Sequence, residues 1–384
     1  MQDSTSVPML IIGGGPFALS AAALAGDRGV DAVVVGRLMG FWSEHMPQGM
    51  LLRSGIDWHL DATGVCTLEA YLRERALSPK EVDPIPVELF REYADWFRRA
   101  KGITLRQDLV TRLTHRDGTF HAELDSGERI RADVVVAAPG ISYFTRLPDW
   151  GGSIPSGRAS HSCDLVRFDA LSGQRVLIVG GRQSAYEWAA LIGEHGAARV
   201  DVVHRHPMPR FASVSWTFFD DYLEATMRGS GWWRRLPVPV REAILARCWE
   251  AGRGTLEPWL PARLDAADVR IWPETAVVLA EPTVDGGPVR ITMSNTQSLT
   301  VDQVIFATGY AAELARVPFL ADLVERIKMR NGSPVLDEAL QSTVPGLYLT
   351  GFSATQDFGP FFGFVKAAPA SAALIMRDML ARTG

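Results

Sequence analysis

The sequence predicts an α/β fold of two Rossmann-type units, the second inserted in the first, with a helical, aromatic-rich excursion. Three observations predict it. Near the start, "PMLIIGGGPFALSAAALAGDRGVDAVVVGR" runs from an apolar stretch at 9–12 through a glycine cluster and an Ala/Leu-rich segment to a second apolar stretch at 32–35. That is β–loop–α–β in the length such a unit needs. Far downstream, "QRVLIVGGRQSAYEWAALIGEHGAARVDVVHR" repeats the plan, with a strand at 176–179, a loop at 180–184 and a second strand at 200–203. Finally, each half carries a β-hairpin feeding a buried strand, 133–137 before Gly140 and 304–306 before Gly309.

The elements then fall in order. "TFHAELDSGERIRADVVVAAPG" reads as a hairpin with a Ser126-Gly127 turn, and "VRITMSNTQSLTVDQVIFATGY" reads the same way. "VPGLYLTGFSATQDFGPFFGFVKAAPASAALIMRDML" reads as a last strand, loop and helix that complete the first unit. The expected first domain is therefore 1–160 plus 300–384, and the inserted domain 161–299. Between about 211 and 272 the pattern turns helical and holds Trp216, Trp232, Trp233, Trp249, Trp259 and Trp272. Two readings of this excursion stand: local core or dimer interface, or a lid or substrate wall.

Composition narrows the function. At 384 residues two domains are expected, and 47% hydrophobic with 22% charged residues is ordinary for a globular chain. Lys+Arg 39 against Asp+Glu 44 gives a net charge of −5 with no basic stripe, which argues against nucleic acid. No run approaches the roughly 18 apolar residues of a membrane span, and the N-terminus lacks the basic start of a secretory signal. A cytoplasmic enzyme acting on a small molecule is the expectation, with a homo-oligomer left open. Cys66, Cys163 and Cys248 form no CxxC and no metal-type spacing.

The glycine loops carry chemistry. Gly13-x-Gly15-x-x-Ala18, with Pro16 and Phe17 between, follows a strand and opens a helix. Gly13 allows the tight turn, Gly15 lets backbone approach a pyrophosphate, and Ala18 lets the helix pack closely on the strand. The helix N-terminus then faces the phosphates. The acid expected at the end of the second strand is missing; Gly36 and Arg37 stand there. In the second loop, Gly180-Gly181-Arg182-Gln183-Ser184, Arg182 takes a glycine position and could add a phosphate contact, while Ser184 and the helix start supply donors.

At the end of the second unit's second strand the acidic chain reads "HRHPMPR". An acid at this place selects a free ribose 2′-hydroxyl, and an Arg accommodates a 2′-phosphate. Arg205 is placed to hold the phosphate, and Arg210 to return to it across the Pro207–Pro209 turn, each by a charge-assisted fork. A metal pair in His204 and His206 is the rival, with no third ligand evident. Both units are thus dinucleotide-binding: the second takes NADPH, and the first FAD.

These residues resemble the class B flavoprotein monooxygenases, which include flavin-containing monooxygenases, Baeyer–Villiger monooxygenases and siderophore ornithine and lysine N-hydroxylases. The resemblance covers nearly the whole chain. Asp302-x-x-x-Phe306-Ala307-Thr308-Gly309-Tyr310 is similar to the D-x3-[LF]-ATGY signature, and Ala138-Pro139-Gly140 to its counterpart in the first unit. Gly40-Phe41-Trp42 resembles the Gly-x-Trp that flanks the flavin. Met50, Arg53, Pro86, Phe90, Tyr93 and Trp96 keep the outline of an N-hydroxylase segment. His161 with Gly157 partly fits an F-x-G-x-x-x-H fingerprint, with Pro155 and Leu165 departing from it.

The resemblance implies that NADPH reduces FAD, that NADP stays bound, and that reduced flavin takes O2 to a C4a-hydroperoxide. That species gives one oxygen to a nitrogen or sulfur, or attacks a ketone. Arg53 is the candidate charged group near the flavin and NADP; its alternative is a structural role. "GFSAT", with Gly351 and Phe352, reads as a strand-end flavin loop. Two rivals remain: an FAD-dependent NAD(P)H reductase of ferredoxin or quinone type, and a flavoprotein that keeps FAD only as a structural or sensing module.

Overall fold

The computed structural model describes residues 5–229, 231–284 and 286–383. The strand Thr5–Ile12 is the centre of the first sheet. It pairs in parallel with Ala32–Val35 on one side and Arg129–Ala137 on the other. Leu105–Arg106 extends the first side. On the far edge of Arg129–Ala137, Thr119–Leu124 runs antiparallel beside its first half and Leu347–Leu349 parallel beside its second. Met9, Leu10 and Ile11 are fully buried, as a strand covered on both faces requires. The small residues of the helix Pro16–Asp27 let it pack between this sheet and the C-terminal helix Ala368–Thr383. The late strand and helix therefore complete the first unit, as the sequence predicts.

The second sheet is wholly parallel. Its order is Arg270–Trp272, Arg199–Val203, Arg175–Val179, Gln303–Phe306, Ala159–His161. Gln303–Phe306 lies inside this sheet, so the second unit's β-structure begins before 161 and ends after 299. The reason is hydrogen bonding: Gln303–Phe306 pairs on both edges within the second sheet. Asp302, the acid of the FATGY signature, anchors this strand. It accepts from the Arg175 amide (2.9 Å), Nε (2.9 Å) and guanidinium (2.8 Å), and the Arg175 bonds hold its carboxyl down to about 2.

The excursion is helical, with Phe218–Arg228, Trp232–Arg235, Val238–Arg253 and Leu260–Ala266. It does not belong to the second unit alone. Trp216, Phe218, Phe219 and Trp233 join the core of the first unit, whereas Leu256, Leu260 and Leu264 join that of the second. Trp216 lies 6.2 Å from Trp58 and 5.7 Å from Phe364, ring centre to ring centre, and Phe361 packs on Phe219 and Tyr222. The excursion is thus a bridge; Trp216, Phe218, Phe219 and Trp233 are core, whereas Trp249 is exposed. Among the described residues no helix is long and apolar enough to cross a membrane.

Candidate functional site

The two glycine loops are built alike. Gly13 (φ +132°) and Gly180 (φ +142°) occupy a backbone region that side chains rarely enter. A Cβ on Gly13 would stand 2.6 Å from the Ala138 carbonyl oxygen, and one on Gly180 2.3 Å from that of Ala307. Each first glycine is therefore fixed by the strand that ends in the APG or ATG turn. Gly15 differs: nothing lies within 4 Å of its would-be Cβ. The protein itself does not require glycine there; an open approach to the start of the Pro16–Asp27 helix does. Beyond it Phe17 packs on Gly351, while the buried Thr350 and Ser353 hydroxyls have no hydrogen-bond partner. Phe352 sits between them in sequence, its ring tilted against that of Phe144 at 5.9 Å.

At the second loop, a cavity of about 750 Å³ opens beside Gly180, Gly181 and Arg182. Arg146, Arg182, Arg205 and Arg253 line it, against a single carboxylate, Asp149. Arg205 is exposed and has no ion pair among the described residues. Ser184 is exposed on the first turn of Gln183–Glu194, at the positive end of that helix. Arg182 swings toward the excursion, donating to the Arg253 carbonyl and lying over the Trp249 ring at 4.9 Å.

Two expected participants lie elsewhere. Arg210 pairs with Glu250 at 3.0 Å, both chains largely exposed, and does not line the cavity. The Arg210–Phe211 strand pairs with Thr255–Leu256, and that ladder carries Arg210 away from the Pro207–Pro209 turn. Gln183 is buried and committed: its Nε2 donates to Glu187 (3.0 Å) and its Oε1 accepts from the Glu257 amide (3.1 Å). His204 and His206 both line the cavity, and His204 is tied by hydrogen bonds. His204 Nε2 meets the Tyr186 hydroxyl at 2.8 Å and its Nδ1 the His206 carbonyl at 2.9 Å, and burial lowers its pKa to about 4.

Arg53 is largely committed to the excursion. Its Nε donates to Glu257 (2.6 Å), and its two amino groups reach the carbonyls of Gly252 (2.8 Å) and Ala251 (3.3 Å) and Thr255 Oγ1 (2.9 Å). It ties the first unit to the excursion with four of its five N–H groups. Met50 packs against both cores. Trp42 packs on Phe90 at 4.9 Å, and Arg37 pairs with Glu44 at 2.9 Å. Gly140 and Gly309, both at φ +77°, have open space where a Cβ would be. Thr308 Oγ1 donates to the Arg146 carbonyl, and Tyr310 lies 6.4 Å from Phe41 and 5.2 Å from His161.

Sequence reasoning missed Arg146 and Arg253 in the cavity, and the fully buried Glu187. Glu187 accepts from Arg263 (3.0 Å) and from the Leu51 amide (3.3 Å), joining the units. A helical acid among apolar neighbours, "SAYEWAAL", was its only signal.

Residues 7–244 match a family described as pyridine nucleotide-disulphide oxidoreductase. Indole-3-pyruvate monooxygenase YUCCA1 of Oryza sativa subsp. japonica is 30% identical over 220 residues, 54% of this chain and 51% of that protein, so the chain matches about half of that relative's length. A ferredoxin–NADP reductase of Saccharopolyspora erythraea is 27% identical over 288 residues, 66% of this chain and 76% of its own. The fold overlays that of the ornithine N-hydroxylase of Kutzneria sp. 744, described with reduced FAD, NADP+ and L-ornithine, at TM-score 0.80 and 17% identity over 99% of this chain and 100% of that one. It also overlays bacillithiol disulfide reductase of Staphylococcus aureus at TM-score 0.68 and 16% identity, over 99% and 100%.

Proposed function

Because the chain belongs to the pyridine nucleotide-disulphide oxidoreductase family, we propose that it is an FAD-dependent, NADPH-using monooxygenase acting on a nitrogen, sulfur or ketone carbon of a small molecule. The observation that carries this reading is a mismatch with the family's disulphide chemistry. Cys66, Cys163 and Cys248 are all free and far apart in sequence, so no cysteine pair is at hand to pass electrons to a disulphide. Electrons from NADPH then need another acceptor, and whole-chain overlap with an N-hydroxylase favours O2.

The residues fit both cofactors. Open space at Gly15, the unpartnered hydroxyls of Thr350 and Ser353, and the helix start at Pro16 suit the pyrophosphate and flavin end of FAD. When bound, the flavin supplies the hydride and oxygen chemistry. The chain's own work is placement. Arg205 holds the 2′-phosphate at the mouth of the arginine-lined cavity, and Ser184 with the Gln183–Glu194 helix start faces the pyrophosphate. His204, neutral at pH 7, braces the loop beneath Gly181 without adding charge. Arg53 and Glu257 hold the excursion against the first unit, and the Trp58–Trp216–Phe364 aromatic wall keeps water out behind it. The test is direct: released flavin should run as FAD, and NADPH consumption should yield oxygenated product.

A second reading, an FAD-dependent NAD(P)H reductase of ferredoxin type, is favoured by the ferredoxin–NADP reductases among the relatives, one matching 86% of this chain at 26% identity. It requires rapid electron delivery to ferredoxin or a quinone and no oxygenated product.

A further inference from the structure

We propose that His45, Cys163 and Asp164 form a site for a divalent cation of the zinc class at the junction of the two units. One imidazole nitrogen of His45, the Cys163 sulfur and a carboxylate oxygen of Asp164 all lie within 4.8 Å of one another. Zinc takes sulfur at about 2.3 Å and nitrogen or oxygen at about 2.0–2.2 Å, so two such ligands at a tetrahedral angle stand about 3.5 Å apart. Cys163 Sγ stands 3.6 Å from Asp164 Oδ1 and 3.1 Å from His161 Nδ1. Cys163 and Asp164 are already at coordination spacing, and His45 lies within 4.8 Å of both.

The two imidazoles differ. The Cys163 amide donates to His161 Nδ1 at 3.3 Å, so that lone pair is taken and His161 braces the cysteine without ligating. His161 is 4% exposed, and its Nε2 finds no partner of its own. His45 Nδ1 lies 2.8 Å from the Cys163 carbonyl oxygen. Donation there fixes the tautomer and leaves Nε2 as the lone-pair nitrogen, the carbonyl–histidine arrangement that orients metal ligands. Phe41 stacks on His45 at 5.4 Å and limits its rotation.

The donor set names the ion. A thiolate with one imidazole and one carboxylate suits zinc, whereas magnesium and calcium demand an oxygen shell. The placement names the consequence. His45 follows the helix Gly40–Glu44 of the first unit, and Cys163 and Asp164 follow the strand Ala159–His161 of the second sheet. A bound cation ties the units together where the chain crosses between them.

Cobalt(II) is the probe, because its visible bands lie to the red of flavin absorption. Flavin-loaded protein stripped with a chelator should bind one equivalent, show intense tetrahedral bands with thiolate charge transfer, and release cobalt to zinc but not to magnesium. The thermal midpoint should rise on binding. His45→Gln and Cys163→Ser should each weaken cobalt binding by more than about tenfold. Cys66→Ser should leave it unchanged. Absence of stoichiometric binding, weak six-coordinate bands, or tetrahedral bands that survive His45→Gln would overturn the site. His45 is only partly buried, so His45→Gln decides the matter even where Cys163→Ser fails to fold.

Discussion

Removing one guanidinium, that of Arg205, should separate the two nicotinamide coenzymes. Arg205 stands just past the strand Arg199–Val203, exposed, on the wall of the 750 Å³ cavity, with no carboxylate paired to it. Its removal breaks no hydrogen bond or ion pair among the described residues, so the fold should be unaffected. A hydrogen bond to a charged group contributes about 1.5–3 kcal/mol net. At about 1.4 kcal/mol per tenfold, Arg205→Ala should lower kcat/KM for NADPH by roughly 10–100-fold. Exposure to solvent and salt places the effect nearer the lower figure. NADH lacks the 2′-phosphate, so its kcat/KM should stay within about twofold, by the same arithmetic. Arg210→Ala should change neither by more than about threefold, because Arg210 is held by Glu250 outside the cavity. Steady-state kinetics with both coenzymes decide. Equal losses with NADPH and NADH in Arg205→Ala, or a parent protein that favours NADH, would refute the reasoning.

The glycine loop offers a separation of folding from binding. Gly15→Ala should leave the thermal midpoint nearly unchanged, with flavin retention on gel filtration reduced, whereas Gly13→Ala should lower the midpoint, since its Cβ would meet the Ala138 carbonyl. Arg53→Ala leaves Glu257 buried and unpaired, which costs about 3–5 kcal/mol on denaturant unfolding; a change under about 1 kcal/mol would show the pair to be dispensable. His204 has its folded pKa lowered to about 4 from 6.5. The unfolded chain therefore binds more protons between these values, so stability is full above about pH 6.5 and falls as pH drops toward 4, by roughly 3 kcal/mol at that one site. His204→Gln should flatten that slope; an unchanged slope would place the effect elsewhere.

The two Rossmann units were legible because their signals are local. Strand, glycine turn and small-residue helix are contiguous, and the glycines mark places where backbone leaves no room for a Cβ. What the sequence hid is long-range. Arg146 and Arg253 line the cavity from segments far from the loop, and nothing local sets them apart from other arginines. Arg210 looked close to Arg205 along the chain, yet a two-residue ladder with Thr255–Leu256 turns it toward Glu250. Arg53 read as a catalytic candidate because its partner Glu257 is 204 positions away. The tryptophans of the excursion showed that something large is buried there, but not that its partners Trp58, Phe361 and Phe364 belong to the other unit. Asp302 was visible as a motif and invisible as an anchor, since its role depends on the adjacent strand beginning at Arg175.

The measurement that bears most directly on the central claim is the reoxidation of the reduced protein. Protein reduced with NADPH, with NADP still bound, is mixed with O2 and its absorbance followed in a stopped-flow instrument. A transient spectrum that is neither reduced nor oxidised flavin is expected, decaying as an oxygenated product forms. Direct single-phase return to oxidised flavin at every pH, together with rapid electron transfer to ferredoxin or a quinone, would contradict it.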